Sequence, residues 1–291
     1  GNKEKALEKL LELLDALEEA DTSRRAAQID KDGNVTLSSE IPAGKPAAEK
    51  SAEDGTGESQ PLYMSLNHVM EYYIFAYYFQ PATEVRCTDI PYGEYYRTYG
   101  QLALSMQKYN GAKKAYERAI AWNPVDLDAY LGLAEVYKYQ NQREKYLTVT
   151  KQAYRYCCTR ATMARYYRNM AFYYLSGYEP ETARACYQYS NVYYHTENAD
   201  SELKYISEAI QQETPQTDIR AIQKLFDEKQ IEPGPDSQTI GIVYKVGEIL
   251  LKDGDYKLAK DCYSIVYDIT QDASAEKLLN ELEAAITGTE E

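Results

Sequence analysis

The clearest structural pattern of the chain lies in residues 93–124, which read GEYYRTYGQLALSMQKYNGAKKAYERAIAWNP. Small and large apolar residues recur there at fixed offsets, and a similar stretch follows 34 residues later. Ala112 and Ala119 are seven residues apart, which is two helical turns, so they lie on one face of a helix with Tyr116 between them. Gly100 and Gly132 provide the same small surface on other helices. The pattern predicts short helix pairs that approach each other closely.

This spacing resembles the tetratricopeptide repeat (TPR) family, whose period is 34 residues. The residues that carry the resemblance in the first copy are Tyr96, Tyr99, Gly100, Ala103, Ala112, Tyr116, Ala119 and Pro124. Those of the second copy are Tyr130, Leu133, Ala134, Tyr137, Tyr146 and Ala153. The resemblance implies an all-α fold, a right-handed α-α superhelix (a TPR-like solenoid of the bacterial type), in which each pair buries its apolar face on its neighbours.

The same offsets continue toward the end of the chain. We predict a third repeat over 164–197, preceded by three extra residues, a degenerate pair over 200–230 and a further repeat over 240–272. Residues 273–287 carry Leu282 and other apolar residues on one side only, which predicts a C-terminal capping helix.

Aromatic residues divide the chain sharply, because residues 1–60 contain none and 61–291 contain all 36. We therefore predict a TPR-like helical repeat domain over 61–291, in which residues 62–80 form a first, loosely paired helix. Leucines at helical spacing in residues 1–20 predict a Leu-rich amphipathic helix. We expect this N-terminal helical tail to pack on the repeat domain, because an exposed leucine stripe of this size is usually covered. Residues 21–60 have the composition of a flexible polar linker.

The formal net charge of -14 disfavours nucleic acid as a partner. Five cysteines without CxxC spacing indicate neither a disulfide framework nor a zinc site, and favour a reducing, cytoplasmic compartment. No signal peptide or membrane-spanning stretch is recognisable, although a signal or anchor upstream of Gly1 stays open. The sequence also lacks phosphate-loop, GxSxG and HExxH motifs. We therefore expect no catalysis, no metal and no cofactor.

A local basic region is the best candidate site, since residues 143–184 carry 8 basic and 3 acidic groups. In the TPR family the first helices of successive repeats line a concave groove, and some members clamp a C-terminal carboxylate there. Carried over by position, the resemblance implies a peptide-binding set of Arg97, Gln101, Lys138, Arg165, Arg168 and Asn169. The family's clamp is incomplete here, because Gly132 and Gln101 stand at two of its asparagine positions. Arginine pairs carboxylates in a bidentate manner, so an acidic or C-terminal peptide is the expected ligand.

These observations predict a non-enzymatic scaffold or adaptor that binds a peptide or partner protein in its groove. The alternative is a structural protein that forms homo-oligomers through the solenoid or the N-terminal Leu-rich helix. Two further alternatives stay open. In the first, the arginines of the basic region bind no ligand and only form surface pairs with nearby acidic repeats. In the second, which is independent of the first, the 31 tyrosines form a carbohydrate-stacking surface instead of only packing between repeats.

Overall fold

The computed structural model describes residues 2–21, 25–38 and 61–288. This part of the chain contains thirteen α-helices and four short β-strands. It divides into two compact units, residues 1–149 and 150–291, whose boundary falls inside the sixth helix. The sequence had predicted a single repeat domain over 61–291.

Helices make up most of the described residues, and each strand is only three residues long. The helices are α1 (Asn2–Ala20), α2 (Val69–Phe79), α3 (Tyr92–Ser105), α4 (Tyr109–Trp122), α5 (Leu127–Tyr139), α6 (Arg143–Tyr154), α7 (Arg160–Ser176), α8 (Pro180–Tyr193), α9 (Glu197–Ile210), α10 (Ile219–Lys229), α11 (Ser237–Asp253), α12 (Tyr256–Thr270) and α13 (Ala273–Gly288). The strands are β1 (Ala27–Ile29), β2 (Val35–Leu37), β3 (Leu62–Met64) and β4 (Val85–Cys87).

Helix pairs are the main structural elements of both units. In the first unit α3 packs on α4 and α4 packs on α5; in the second, α7 packs on α8 and α11 on α12. Turns of two or three residues join α3 to α4, α7 to α8 and α11 to α12, so each pair forms an antiparallel helical hairpin. The predicted all-α fold of repeated helix pairs is confirmed, and the strands form only two separate two-stranded sheets in the described residues.

The turns of these three pairs and the turn between α5 and α6 share one backbone geometry. One residue of each turn has a positive φ: Gln107 at 59°, Asn141 at 55°, Tyr178 at 62° and Gly254 at 83°. The residue after it donates its backbone N–H to a carbonyl five residues earlier, at 2.8–2.9 Å, which closes the end of the first helix. Only one of the four is a glycine; asparagine also tolerates this conformation, whereas glutamine and tyrosine rarely adopt it.

The close approach of helices depends on glycines beneath a tyrosine ring. A Cβ on Gly132 of α5 would lie 2.3 Å from Cε1 of Tyr116, and a Cβ on Gly100 of α3 would lie 2.9 Å from the same atom. The Tyr116 ring of α4 is therefore held between two helices that leave room for no side chain. This confirms the close-approach role that the sequence predicted for both glycines.

The N-terminal helix α1 packs on α3 in the first unit. Leu7 and Leu14 are buried, whereas Leu13 and Leu17 are 52% and 44% exposed, so the leucine stripe is only partly covered. The docked side of the helix also makes polar contacts, because Glu18 lies one turn after the buried Leu14. Glu18 accepts hydrogen bonds from the Tyr96 hydroxyl at 2.5 Å and the Trp122 indole N–H at 3.0 Å.

Residues 25–38 are folded, although the sequence predicted a flexible linker over 21–60. Strands β1 and β2 pair antiparallel, with Gln28 opposite Thr36. The Asp30 carboxylate stabilises the turn by accepting from the backbone N–H groups of Asp32 and Asn34. Ala26 is fully buried, and β1 contacts α4, so this segment packs on the helices of the first unit. Residues 39–60 of the predicted linker lie outside the described residues.

The helix predicted over 62–80 begins later than expected. Residues 62–64 instead form β3, which pairs in parallel with β4, and α2 starts at Val69. The His68 side chain accepts from the Met70 backbone N–H, while the Glu71 carboxylate accepts from the backbone N–H of His68. This reciprocal cap determines where the helix starts.

Candidate functional site

In the second unit, Arg165 and Arg168 lie three residues apart on α7 and therefore on the same side of the helix. Both side chains are half-buried, and within the described residues neither forms an ion pair with a carboxylate. The Nη1 atom of Arg168 is buried and has no hydrogen-bond partner in this part of the chain. Burial, and then the nearby Arg165, lower the pKa of the Arg168 guanidinium. The Arg168 guanidinium therefore combines an unsatisfied donor with a second positive charge nearby.

Asn169 is adjacent in sequence but not equivalent in exposure. Its side chain is only 6% exposed, because it points from α7 into the packed interior of the unit. Of the predicted set on α7, the two arginines are therefore partly exposed, whereas the asparagine is buried.

In the first unit, Arg97 is occupied by an internal partner. Its Nη1 atom donates to Oδ2 of Asp126 at 2.6 Å, and Asp126 is 2% exposed and also caps the start of α5. Burial raises the pKa of the Asp126 carboxyl, although the Arg97 charge acts in the opposite direction. Removing Arg97 would leave a buried carboxylate unpaired, so we assign this residue a role in holding α3 to the α4–α5 turn.

The other two predicted residues of the first unit differ in exposure. Gln101 is exposed one helical turn after Arg97 on α3. Lys138 on α5 is half-buried and lies 3.8 Å from Glu135 in an i,i+3 ion pair. Such a pair contributes little to stability.

Sequence reasoning missed an open cavity of about 650 Å³ in the second unit. One side carries Lys151 and Arg155, and the other carries Glu232 and Asp236 on the Pro-Gly-Pro loop that precedes α11. The hydroxyls of two tyrosines fasten this loop: Tyr167 donates to the Glu232 carbonyl at 2.8 Å and Tyr189 to the Pro233 carbonyl at 2.5 Å. The sequence signalled only a break in the repeats here. The basic residues lie 75 or more positions away from the loop.

Two classes of site find no support in the described part of the chain. No three His, Cys, Asp or Glu side chains come together there as a set of metal ligands. No helix in the same ranges combines the length and apolar character needed to cross a bilayer. Burial raises the pKa of the Cys157 and Cys186 thiols, which keeps both protonated and unreactive.

No protein-family model matches the chain, and no curated protein matches it. Among solved structures it is similar to the APC/C hetero-tetramer Cut9-Hcn1 at 14% identity, over 68% of this chain and 38% of that one, with a TM-score of 0.38. It is also similar to YrrB, a TPR protein with an unusual peptide-binding site, at 14% identity, over 65% and 91%, with a TM-score of 0.34. The third is pilF of Pseudomonas aeruginosa, at 15% identity, over 68% and 86%, with a TM-score of 0.37. These solved structures thus include a TPR protein, the family that the 34-residue spacing resembles.

Proposed function

We propose that the chain is a non-enzymatic interaction scaffold that binds an acidic or C-terminal peptide of a partner protein along α7. The observation that carries this proposal is the pair Arg165 and Arg168, which has no carboxylate partner in the described residues although the protein carries a net charge of -14. The Nη1 atom of Arg168 is buried without a hydrogen-bond partner in the described residues, so no internal acceptor there offsets the charge of this arginine. A carboxylate is the ligand that a guanidinium pairs best.

Fluorescence anisotropy with labelled peptides tests this proposal. The probes are an acidic peptide with a free C-terminus, the same peptide amidated, and a lysine-rich peptide of equal length. We expect the wild type to prefer the acidic peptides, and the difference between the first two probes measures how much the terminal carboxylate contributes. The double variant R165E/R168E should bind more than about tenfold more weakly and lose most of the salt dependence.

The matched control is Arg220→Glu, which reverses an exposed arginine elsewhere in the same unit and should leave affinity unchanged. Equal binding of acidic and lysine-rich peptides by the wild type would contradict the proposal. So would wild-type affinity in the double variant, provided that its circular dichroism is unaltered.

Self-assembly is the second candidate function, and the exposure of Leu13 and Leu17 on α1 favours it. The two leucines are four residues apart and form one apolar strip on a helix that is otherwise docked. Sedimentation velocity separates the candidates: L13E/L17E should convert oligomers to monomers if the strip joins two chains. A wild type that is monomeric at all concentrations excludes this candidate and leaves the peptide scaffold in place.

A further inference from the structure

Two tyrosines form an exposed aromatic surface in the first unit. Tyr109 begins α4 and Tyr139 ends α5, and their rings stack with centroids 5.5 Å apart and planes 17° apart. Tyr139 is 60% exposed, whereas Tyr116 of α4 and Tyr137 of α5 are at most 2% exposed. This ring pair is therefore not part of the core, and one aromatic face is free to stack on a ligand.

A row of side-chain amides borders the rings. Nε2 of Gln142 donates to Oε1 of Gln140 at 3.0 Å, and Nε2 of Gln140 donates to Oδ1 of Asn110 at 3.0 Å. Each bond uses one of the two donors of its amide, so the row keeps N–H groups and carbonyl lone pairs directed outward. Such a row both donates to hydroxyl groups and accepts from them.

Tyr109, Asn110 and Gln140 line an open cavity of about 490 Å³, within the size range of small-molecule sites. Tyr139 and Gln142 lie outside this lining, where they contact Tyr109 and Gln140. The lining residues of the cavity are Gln107, Lys108, Tyr109, Asn110, Gly111 and Gln140. Lys108 is the one charged residue among them, and its Nζ pairs with Oε1 of Glu4 at 2.9 Å. The cavity is therefore close to neutral.

The chemistry of this cavity selects among ligands that stack on aromatic rings. A nucleotide would stack equally well, but its phosphates are repelled by a protein with a net charge of -14. A fully apolar ligand would leave the amides without partners. A pyranose has one flat face of C–H groups and a rim of hydroxyls, which matches an aromatic platform beside mixed donors and acceptors.

We propose that this cavity, together with the exposed Tyr139 ring and Gln142 beside it, is a binding site for a neutral saccharide. The Tyr109 and Tyr139 rings form the stacking platform, and Asn110, Gln140 and Gln142 are partners of the sugar hydroxyls. The site lies in the first unit, involves neither Arg165 nor Arg168, and is independent of the peptide scaffold proposed above.

Saturation-transfer difference NMR on the full chain tests the site with gluco-, manno-, xylo- and N-acetylglucosamine-type trisaccharides. We expect saturable binding of at least one, with a dissociation constant on the order of 1 mM and the strongest transfer to protons of one sugar face. Tyr139→Ala should weaken that binding by about tenfold or more, because base-like stacking on one ring is worth about that much. Gln140→Leu breaks the amide row, leaves the platform in place, and should also weaken binding.

Tyr178→Ala is the matched control, since Tyr178 is 94% exposed at the equivalent turn between α7 and α8 and has no stacked ring in the described residues. It should bind as the wild type does. Absence of saturable binding to all four sugars would overturn the proposal, as would unchanged binding in Tyr139→Ala or equal loss in Tyr178→Ala. A second arm compares the best free sugar with the same sugar on a peptide. Equal affinity identifies free glycans as sufficient ligands, and tighter binding of the glycopeptide identifies a glycoprotein source; either supports the site.

Discussion

The two terminal helices pack on their units by different chemistry. Helix α1 buries two leucines, and its Glu18 carboxylate also accepts hydrogen bonds from aromatic side chains of α3 and α4. Helix α13 packs on α12 through an apolar cluster in which Leu282, Ala259 and Tyr263 are buried. An apolar cap is sensitive mainly to volume, whereas a cap with polar anchors is also sensitive to protonation and to the loss of single atoms. The comparison therefore shows that similar leucine patterns do not predict similar attachment.

The largest expected effect is the loss of a buried leucine from either cap. Leu14→Ala in α1 and Leu282→Ala in α13 should each lower the free energy of unfolding of their unit by about 3 kcal/mol, because both leave a cavity at sites 2% and 4% exposed. Hydrogen exchange measured by mass spectrometry assigns the loss to the correct unit. Leu13→Ala, at a position 52% exposed, is the control and should change little. An equal effect at Leu13 would mean that α1 packs in another orientation.

Removal of the Glu18 carboxylate should destabilise the first unit more than removal of the corresponding acid of α13 destabilises the second. Glu18→Ala leaves the Tyr96 hydroxyl and the Trp122 indole N–H without their acceptor, so we expect a cost of about 2 kcal/mol in chemical denaturation of the first unit. The corresponding acid of α13, Glu283, forms an exposed pair with Lys260 at 2.9 Å, and Glu283→Ala should cost less than about 0.5 kcal/mol.

Glu19→Ala, the neighbouring position on α1, controls for the removal of one negative charge. Equal costs at Glu18 and Glu283 would show that the polar contacts of α1 contribute no more than surface pairs.

Alkaline pH should release α1. Burial, and then hydrogen bonds to Asp21 and Glu18, raise the pKa values of Tyr92 and Tyr96 above the ordinary 10.0. The stability from these phenols is fully present below pH 10.0 and is lost as the pH rises through their higher folded values. Trp122, the only tryptophan, stacks on Tyr92 at 4.3 Å and reports the change by its fluorescence.

The double variant Y92F/Y96F has no phenols at these sites, so its fluorescence transition should become shallower. A transition identical to that of the wild type would assign the alkaline loss to other tyrosines.

The smallest expected effect lies in the apolar cap. The hydroxyl of Tyr263 is buried without a hydrogen-bond partner in the described residues, and burial raises its pKa to about 12. Tyr263→Phe removes the unsatisfied group and keeps the ring over Gly247, so we expect about 1 kcal/mol of added stability in thermal unfolding. The same change has the opposite expected effect at Tyr96 of α3, because its hydroxyl donates to Glu18 of α1 and Tyr96→Phe should therefore destabilise the first unit. A destabilised Tyr263→Phe would mean that the hydroxyl has a partner.

Helix pairs were predictable because their cause is local. The small residues Ala112 and Ala119, with Tyr116 between them, mark two helical turns in any context, and Gly132 has room for nothing larger beneath the ring. The turns were predictable only in part. Gly254, between Asp253 and Asp255, and Asn141 are residue types that favour a positive φ, whereas Gln107 and Tyr178 adopt the same geometry without such a signal in their residue type.

The candidate site was predictable to the level of a helix face. Position in the repeat located Arg165 and Arg168 on one side of α7, but it could not reveal that Arg97 is already paired with Asp126 or that Asn169 is buried. Pairing depends on which carboxylate a fold brings within hydrogen-bond distance, and Asp126 is 29 residues from Arg97 along the chain.

The sequence by itself determined the helical class, the 34-residue period and the absence of recognised catalytic motifs, because these follow from side-chain size and spacing within one or two turns. Only the tertiary structure decided that residues 27–37 form a hairpin and that 62–64 form a strand, since short segments take the conformation that covers a neighbouring surface. It also decided how α1 is attached: the Glu18 carboxylate accepts its hydrogen bonds only because α3 and α4 bring Tyr96 and Trp122 to it.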